Sequence, residues 1–154
     1  MRIKSLYALL FISLLTSSCQ NESKPQVEVQ EVSPITGTWK LLKGTIIQGN
    51  DTAITNYTIN ADFIKIITDT HFAFMRHDLG LDSVAVYVSG GGRCEVKDNE
   101  YIEHLDFCNY REWEGHTFSF DFEITGDTLT TMGIEKIEAL GVEQFNIEQY
   151  VRMD

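Results

Sequence analysis

The pair Tyr101 and Glu103 is the clearest candidate for binding chemistry in this chain. The two residues are separated by one position in an apolar segment, so in a strand both side chains would point to the same face. An inward carboxylate must be solvated, paired or protonated, because an isolated buried charge is very costly. We predict that the phenol and the carboxylate fix the polar end of a bound molecule. The alternative is a structural carboxylate, either hydrated near an opening or paired with an arginine such as Arg76.

Histidine and cysteine chemistry is less well supported. The histidines lie at positions 71, 77, 104 and 116. No two of them have the spacing of a zinc-protease helix, so we predict no metal site. Cys94, His71 and Glu103 could be combined as nucleophile, base and acid, but nothing in the sequence activates the thiol. We therefore expect no catalytic residue, no cofactor and no enzymatic activity.

The run Gly90-Gly91-Gly92 is the one glycine cluster that could suggest phosphate binding. Phosphate loops present backbone N–H groups at the start of a helix, and no helix is predicted after these glycines. The run instead indicates weak pairing, a bulge or a sharp bend within a long strand.

Segments rich in β-branched and aromatic residues alternate with short turn signals along most of the chain. They predict eight strands at residues 37–48, 57–67, 70–77, 83–96, 100–108, 116–125, 127–133 and 143–152. Short helical turns are expected only within 110–115 and 134–142. This pattern is typical of an all-β antiparallel sandwich or barrel.

The strand at 116–125 has the clearest inward face. Phe118, Phe120, Phe122 and Ile124 alternate with polar residues, so the aromatic face must look inward. In the strand at 70–77 we place Phe72, Phe74 and Arg76 inside. If the sheet closes, these rings either fill the barrel or line a cavity for one small ligand.

A tight turn at Asp98-Asn99 sets the register of the next hairpin, with Cys94 opposite Glu103. The inner face is then expected to carry Cys94, Val96, Tyr101, Glu103, Leu105 and Phe107, and the outer face Arg93, Glu95, Ile102, His104, Asp106 and Cys108. Because Cys94 and Cys108 would lie on opposite faces and far apart along the strands, we predict free thiols.

The N-terminus predicts export. Arg2 and Lys4 precede a mainly apolar segment of ten residues, 6–15, and a small-residue stretch, so residues 1–18 are typical of a secretory signal peptide. Removing them changes the formal net charge from −11 to −13, which disfavours nucleic acid as a partner. The polar residues 19–34 are predicted to be a flexible tether, and 35–154 a single domain.

Gly37-x-Trp39, followed by Lys40-Leu41, resembles the opening of lipocalin and fatty-acid-binding protein barrels. The resemblance implies an eight-stranded antiparallel up-and-down barrel. In these families the tryptophan lies at the closed end, packed under a basic side chain of the last strand. Arg152 is the candidate for that basic side chain.

Small residues directly before Cys19 resemble the bacterial lipobox, which implies that Cys19 carries the lipid anchor. Three further features, at 70–74, 90–92 and 101–104, resemble a family of small lipocalin-like lipoproteins of Bacteroidota. This resemblance implies an exported protein of the cell envelope, on the outer membrane of a Gram-negative bacterium, at its periplasmic or surface side. It brings no ligand and no site to carry over.

We therefore expect a membrane-anchored barrel that binds a small hydrophobic molecule. Its expected binding residues are Phe74, Tyr101, Glu103, Phe118, Phe120 and Phe122. The alternative is a barrel filled by its own side chains that contacts an envelope protein, and an open interior would discriminate between the two. Catalysis would require two titratable groups that converge in the interior, and the sequence predicts only one.

Overall fold

The computed structural model describes residues 32–80 and 85–153. They contain nine strands: β1 (Gly37–Gln48), β2 (Asp51–Asn56), β3 (Ala61–Ile67), β4 (His71–Asp78), β5 (Tyr87–Lys97), β6 (Glu100–Cys108), β7 (His116–Thr125), β8 (Thr128–Ile137) and β9 (Val142–Arg152). The predicted signal peptide and Cys19 lie outside the described residues.

Eight of these strands close into an antiparallel barrel. From β3 to β9 each strand pairs with the next in the sequence, and β1 pairs with both β3 and β9. Closure leaves the barrel without free edges, because each of its strands finds a hydrogen-bonding partner on both sides. The predicted all-β, eight-stranded up-and-down barrel is confirmed.

Strand β2 is an addition to the prediction. No strand was expected between residues 48 and 57, and the strand expected at 57–67 begins only at Ala61. β2 pairs only with the second half of β1, from Lys43 to Gln48, while β3 pairs with the first residues of β1. A turn at residues 57–60 separates the two segments. All six residues of β2 are exposed, so the β1–β2 hairpin adds no core, and its polar sequence is consistent with that position.

Two strand boundaries also differ from the prediction. β8 continues to Ile137 instead of ending at 133, since Gly133 pairs with Phe120 and does not interrupt the ladder. β5 begins at Tyr87 instead of 83. The short helical turns are confirmed as single 3₁₀ turns at Arg111–Trp113 and Glu138–Leu140.

The β5–β6 hairpin has the predicted register, with Lys97 opposite Glu100 and Cys94 opposite Glu103. Asp98 takes a left-handed conformation in the turn, with φ 53°. Aspartate adopts this conformation more readily than most residues because its short side chain bonds to the local backbone.

A bulge reverses the side-chain phase at the end of β6. Gly91 pairs with Phe107 but Gly92 pairs with Leu105, so Asp106 is an extra residue. A Cβ atom on Gly92 would lie only 2.0 Å from the His104 carbonyl oxygen, which explains why glycine is required here. Of the three alternatives expected at the glycine run, the structure shows a bulge, but its extra residue lies in β6, opposite Gly91 and Gly92 of β5.

This bulge corrects the inner and outer faces predicted for the last residues of β6. Phe107, expected inside, is 71% exposed, and Cys108, expected outside, is buried. Cys94 and Cys108 are both free thiols, as predicted. The prediction rested partly on the two cysteines lying on opposite faces of the sheet. That expectation is wrong, because both side chains are buried.

The end of the barrel near Trp39 is closed by the predicted stacking. Trp39 is fully buried, and the Arg152 guanidinium carbon lies 4.1 Å from its ring centre. The indole N–H donates to the Ile35 carbonyl at 2.8 Å. Arg152 also donates to the carbonyls of Thr36 and Pro34, so β9 is joined to the chain that enters β1.

Candidate functional site

The barrel contains a cavity of about 310 Å³ between its buried core and the end opposite Trp39. It is lined by Tyr57, Phe63, Lys65, Phe74, Arg76, Val88, Glu103, Leu105, Cys108, Tyr110, Trp113, Phe118, Phe120, Glu135 and Glu148. Ligand pockets typically have volumes of about 300–1,000 Å³, with a mostly apolar lining and a few polar groups. The cavity has this character and lies at the small end of that range.

Aromatic rings form one part of the lining and contact each other around it. Phe63 packs against Tyr57 and Phe74, with ring centres 5.6 and 5.9 Å apart. Trp113, from the 3₁₀ turn after β6, packs on Phe118 at 6.0 Å. These distances are typical of favourable aromatic pairs, so the apolar wall is held in place by contacts within the protein.

Gly90 creates the space that the Phe74 ring occupies. The two residues pair across β4 and β5, and a Cβ atom on Gly90 would lie 2.6 Å from the Phe74 ring. Any side chain at position 90 would therefore displace the ring from the cavity wall.

The polar part of the lining is centred on Lys65. Its ammonium lies 2.8 Å from Glu103 and 3.4 Å from Glu148, so side chains from β3, β6 and β9 meet across the interior. Glu148 also accepts a hydrogen bond from the Tyr150 hydroxyl. Lys65 is 5% exposed and Glu103 is 6% exposed. A buried ion pair of this kind needs both members, because either one alone would be an uncompensated charge.

The pKa shifts in this network follow from burial and pairing. Burial alone would lower the pKa of Lys65, but Glu103 and Glu148 outweigh it and hold that pKa above its ordinary value. Burial, with the Glu148 charge in addition, raises the pKa of Tyr150. Lys65 is therefore a permanent cation and Tyr150 a permanent hydrogen-bond donor at neutral pH.

Glu135 is a second inward carboxylate with a different environment. Gln144 and Asn146 of β9 donate to its two oxygens at 2.7 and 3.0 Å. Burial is the largest influence on this carboxyl and raises its pKa, and the charge of Glu148 adds to the shift. Two neutral amides hold Glu135 in place without neutralising its charge.

Arg76 lines the cavity from β4, in the inward phase shared with Phe74. One terminal nitrogen, Nη2, donates to Asp78 at 3.1 Å, and the guanidinium lies 5.5 Å from the Tyr57 ring centre. Its Nε atom is buried and has no hydrogen-bond partner among the described residues.

Four of the six residues predicted to bind ligand line the cavity. These are Phe74, Glu103, Phe118 and Phe120. Tyr101 is inward but fully buried in the core, in edge contact with Phe72, and Phe122 lies nearer the closed end, where its backbone N–H donates to the Asn99 carbonyl. Tyr101 and Phe122 therefore belong to the core beneath the cavity.

Three charged residues of the lining were not predicted from the sequence, namely Lys65, Glu135 and Glu148, and Arg76 was expected only as a partner for Glu103. The actual partner of Glu103 is Lys65, while Arg76 pairs with Asp78. The alternation of β3 could have identified Lys65 as inward-facing, because Lys65 lies two residues from each of the inward residues Phe63 and Ile67. Glu135 was missed because the predicted strand ended two residues before it.

The combination of Cys94, His71 and Glu103 considered from sequence is not assembled. His71 is exposed, where its ring pairs with Thr70, whereas Cys94 is buried inside the barrel. Burial, with Glu103 as a further cause, raises the pKa of Cys94 to about 11. The thiol is therefore protonated at neutral pH and is a poor nucleophile.

Within residues 32–80 and 85–153, no three His, Cys, Asp or Glu side chains are placed to hold a metal ion. In the same ranges, no helix has the length and apolar character needed to cross a membrane.

Comparison with known proteins leaves the family resemblance as a prediction. The sequence matches no protein-family model, and no curated protein is significantly similar to it.

Proposed function

We propose that this protein is a binding protein for a small, largely apolar molecule, which enters the barrel cavity. The observation that carries the proposal is the cavity of about 310 Å³, lined by aromatic rings and a few charged side chains. A ligand body would pack against Phe74, Phe118 and Phe120 and displace water from apolar surface. The alternative, a filled barrel that only contacts an envelope protein, predicts no such space.

A pair of adjacent substitutions tests this proposal. Cys108→Trp would place a large side chain in the cavity, whereas Phe107→Trp would enlarge a side chain on the outer face. The full-length chain, expressed in its own host and examined by native mass spectrometry, should carry a stoichiometric extra mass that is lost on denaturation. We expect Cys108→Trp to remove this mass and Phe107→Trp to retain it.

A bare mass for the wild-type protein, together with no uptake of a panel of fatty acids, sterols and haem-like pigments, would contradict ligand binding. An extra mass retained by folded Cys108→Trp would place the ligand elsewhere on the protein. Circular dichroism of both variants establishes that each is folded.

We further propose that Cys19 carries a lipid that anchors the barrel at a bacterial envelope membrane, the outer membrane of a Gram-negative cell being the expected location. The support is the signal-like segment before Cys19. Metabolic labelling with a fatty acid should be lost in Cys19→Ala, and the variant should leave the membrane fraction. Labelling that persists would contradict the anchor.

A further inference from the structure

Three acidic side chains that line the cavity share a single cation. Glu103 and Glu148 both pair with Lys65, at 2.8 and 3.4 Å. Glu135 is held by the two amides of β9 and has no ion pair among the described residues. One ammonium therefore balances one of three carboxylate charges in this part of the lining.

The remaining cation of the described lining does not change this balance. Arg76 Nη2 lies 3.1 Å from Asp78 on the same strand, so that pair is neutral by itself. The carboxylates are close enough to repel each other, since burial raises the pKa of Glu135 and the charges of Glu148 and Glu103 raise it further. Negative charge that is removed from water without a counter-ion is costly. A cation that entered the cavity would lower this cost.

An aromatic surface adjoins Glu135 on the barrel wall. Phe120 of β7 pairs with Gly133 of β8, which lies two residues before Glu135 and therefore on the same face. A Cβ atom on Gly133 would lie 2.9 Å from the Phe120 ring, so the absence of a side chain there lets the ring lie over β8. Trp113 and Phe118 continue this surface. A ligand with an apolar body and a cationic end matches both parts, because aromatic faces also attract cations.

The carboxylates have acceptor capacity left for such a ligand. Glu148 uses Oε2 for both Lys65 and Tyr150, and its Oε1 has no hydrogen-bond partner among the described residues. Each oxygen of Glu135 accepts one amide hydrogen bond, and a carboxylate oxygen can accept two. Neither side chain is fully enclosed, since that of Glu148 is 16% exposed and Glu135 is half-buried.

We propose that the cavity selects a protonated amine with an apolar body, and that the ammonium of this ligand donates to Glu135 and Glu148. The inference rests on the proposed function, because it assigns a chemical class to the same ligand. The cavity volume of about 310 Å³ favours a body of one or two rings over a long chain.

Three probes with the same aromatic body test this selectivity: 2-(2-naphthyl)ethylamine, 2-propylnaphthalene and 2-naphthylacetate. Their affinities for the full chain are measured by fluorescence titration at pH 7, where the amine is protonated. The amine should bind at least about tenfold more tightly than the hydrocarbon, as expected for a hydrogen bond to a charged group. The carboxylate should be the weakest of the three.

Two substitutions remove one acidic charge each and keep the shape of the side chain. Glu135→Gln breaks no ion pair, and Glu148→Gln leaves Lys65 paired with Glu103. In each variant the affinity for the amine should fall by about 3- to 10-fold, while that for the hydrocarbon stays within about 2-fold. Glu123→Gln is the matched control, because it makes the same change of charge at an exposed position of β7, and it should keep the wild-type preference. Circular dichroism establishes that each variant is folded.

Each outcome has a separate meaning. Equal binding of amine and hydrocarbon by the wild type, or an amine preference that persists in both cavity variants, would overturn the inference while leaving the proposed function in place. Tightest binding of 2-naphthylacetate would overturn the selection of a cation. An equal loss of preference in Glu123→Gln would assign the effect to the overall charge of the chain and overturn the inference too. If no probe binds, the inference fails, and the native mass of the wild type decides the proposed function: a stoichiometric ligand retains it and a bare mass contradicts it.

Discussion

Lys65 is the residue whose environment differs most from what its type suggests. Lysine is rarely buried, yet this side chain is almost fully enclosed, with Glu103 and Glu148 as its charged partners. Its ammonium also lies 5.4 Å from the centre of the Tyr150 ring, a favourable distance for a cation–π contact. One cation therefore compensates carboxylates from two other strands.

Removal of this cation should be strongly destabilising. We expect Lys65→Met to lower the free energy of unfolding by about 3–5 kcal/mol, because it leaves the buried Glu103 and the partly buried Glu148 without their cation. Adding Glu103→Gln to this variant should restore part of the loss. Urea unfolding, with the midpoint and the slope both recorded, measures the effect.

Lys40→Met is the matched control for this experiment. Lys40 pairs with Asp62, and both side chains are more than one third exposed, so we expect a loss of about 0–1 kcal/mol. If Lys65→Met cost no more than Lys40→Met, the buried network would not have the role assigned to it.

Glu135 predicts a pH dependence of stability. Its pKa is raised by burial above the ordinary value of 4.5, so the folded state binds the proton more tightly than the unfolded state does. The contribution of this group to stability is therefore most favourable below pH 4.5 and is lost as the pH rises through the folded-state pKa. Glu135→Gln should remove this loss.

The measurement is the difference in unfolding free energy between Glu135→Gln and wild type, from urea unfolding at a series of pH values. We expect the difference to grow in favour of the variant from about pH 4.5 upward, as this carboxyl ionises in the wild type. Glu123→Gln, at an exposed position of β7, should show no such trend. A pH-independent difference for Glu135→Gln would contradict the sign of the shift.

At the scale of the elements, the bulge in β6 decides which side chains reach the cavity. One extra residue at Asp106 turns Phe107 outward and Cys108 inward. Period-two alternation holds up to Leu105 and fails after it, because a bulge places two residues of one strand opposite one of the other.

Thiol labelling tests whether the side chain at position 107 points outward and the side chain at position 108 points inward. In a chain whose other cysteines are replaced by serine, Phe107→Cys should react with a water-soluble maleimide at close to the rate of a free thiol. Cys108, as the only remaining cysteine in the same background, should react at least about tenfold more slowly because it is buried. Equal rates would contradict the bulge.

At the scale of the whole molecule, closure depends on the contact between the first and last strands. β1 and β9 pair over most of their length, and Arg152 adds the stacking on Trp39 and hydrogen bonds to the chain before β1. This contact joins residues that are more than one hundred positions apart in the sequence. It is the pairing that closes the sheet into a barrel.

We expect Arg152→Ala to lower the free energy of unfolding by about 1–3 kcal/mol, because the stacking and the charged hydrogen bonds are lost together. Arg152→Lys should show an intermediate loss, since it keeps the charge but not the planar group. Thermal and urea unfolding measure both. Arg93→Ala, which breaks an exposed pair with Asp106, is the control, and an equal effect of the two alanine variants would contradict a role in closure.

Much of the architecture was determined by the sequence alone. Alternating aromatic and polar residues from His116 to Thr125 specify a strand with one inward face, and Asp98-Asn99 specifies a hairpin whose register follows from the turn. The stacking of Arg152 on Trp39 was also predicted correctly. These features depend on local backbone preference and strand period, which the order of residues contains directly.

The site was decided by the tertiary structure. The partner of Glu103 proved to be Lys65, which is 38 residues away, and Tyr101 lies beneath the cavity instead of in its wall. Phase predicts that a side chain points inward, but it does not predict how far along the barrel axis that side chain lies or which inward groups meet across the interior. Strand stagger, the Asp106 bulge and closure of β1 on β9 set those positions, because each depends on contacts between distant segments.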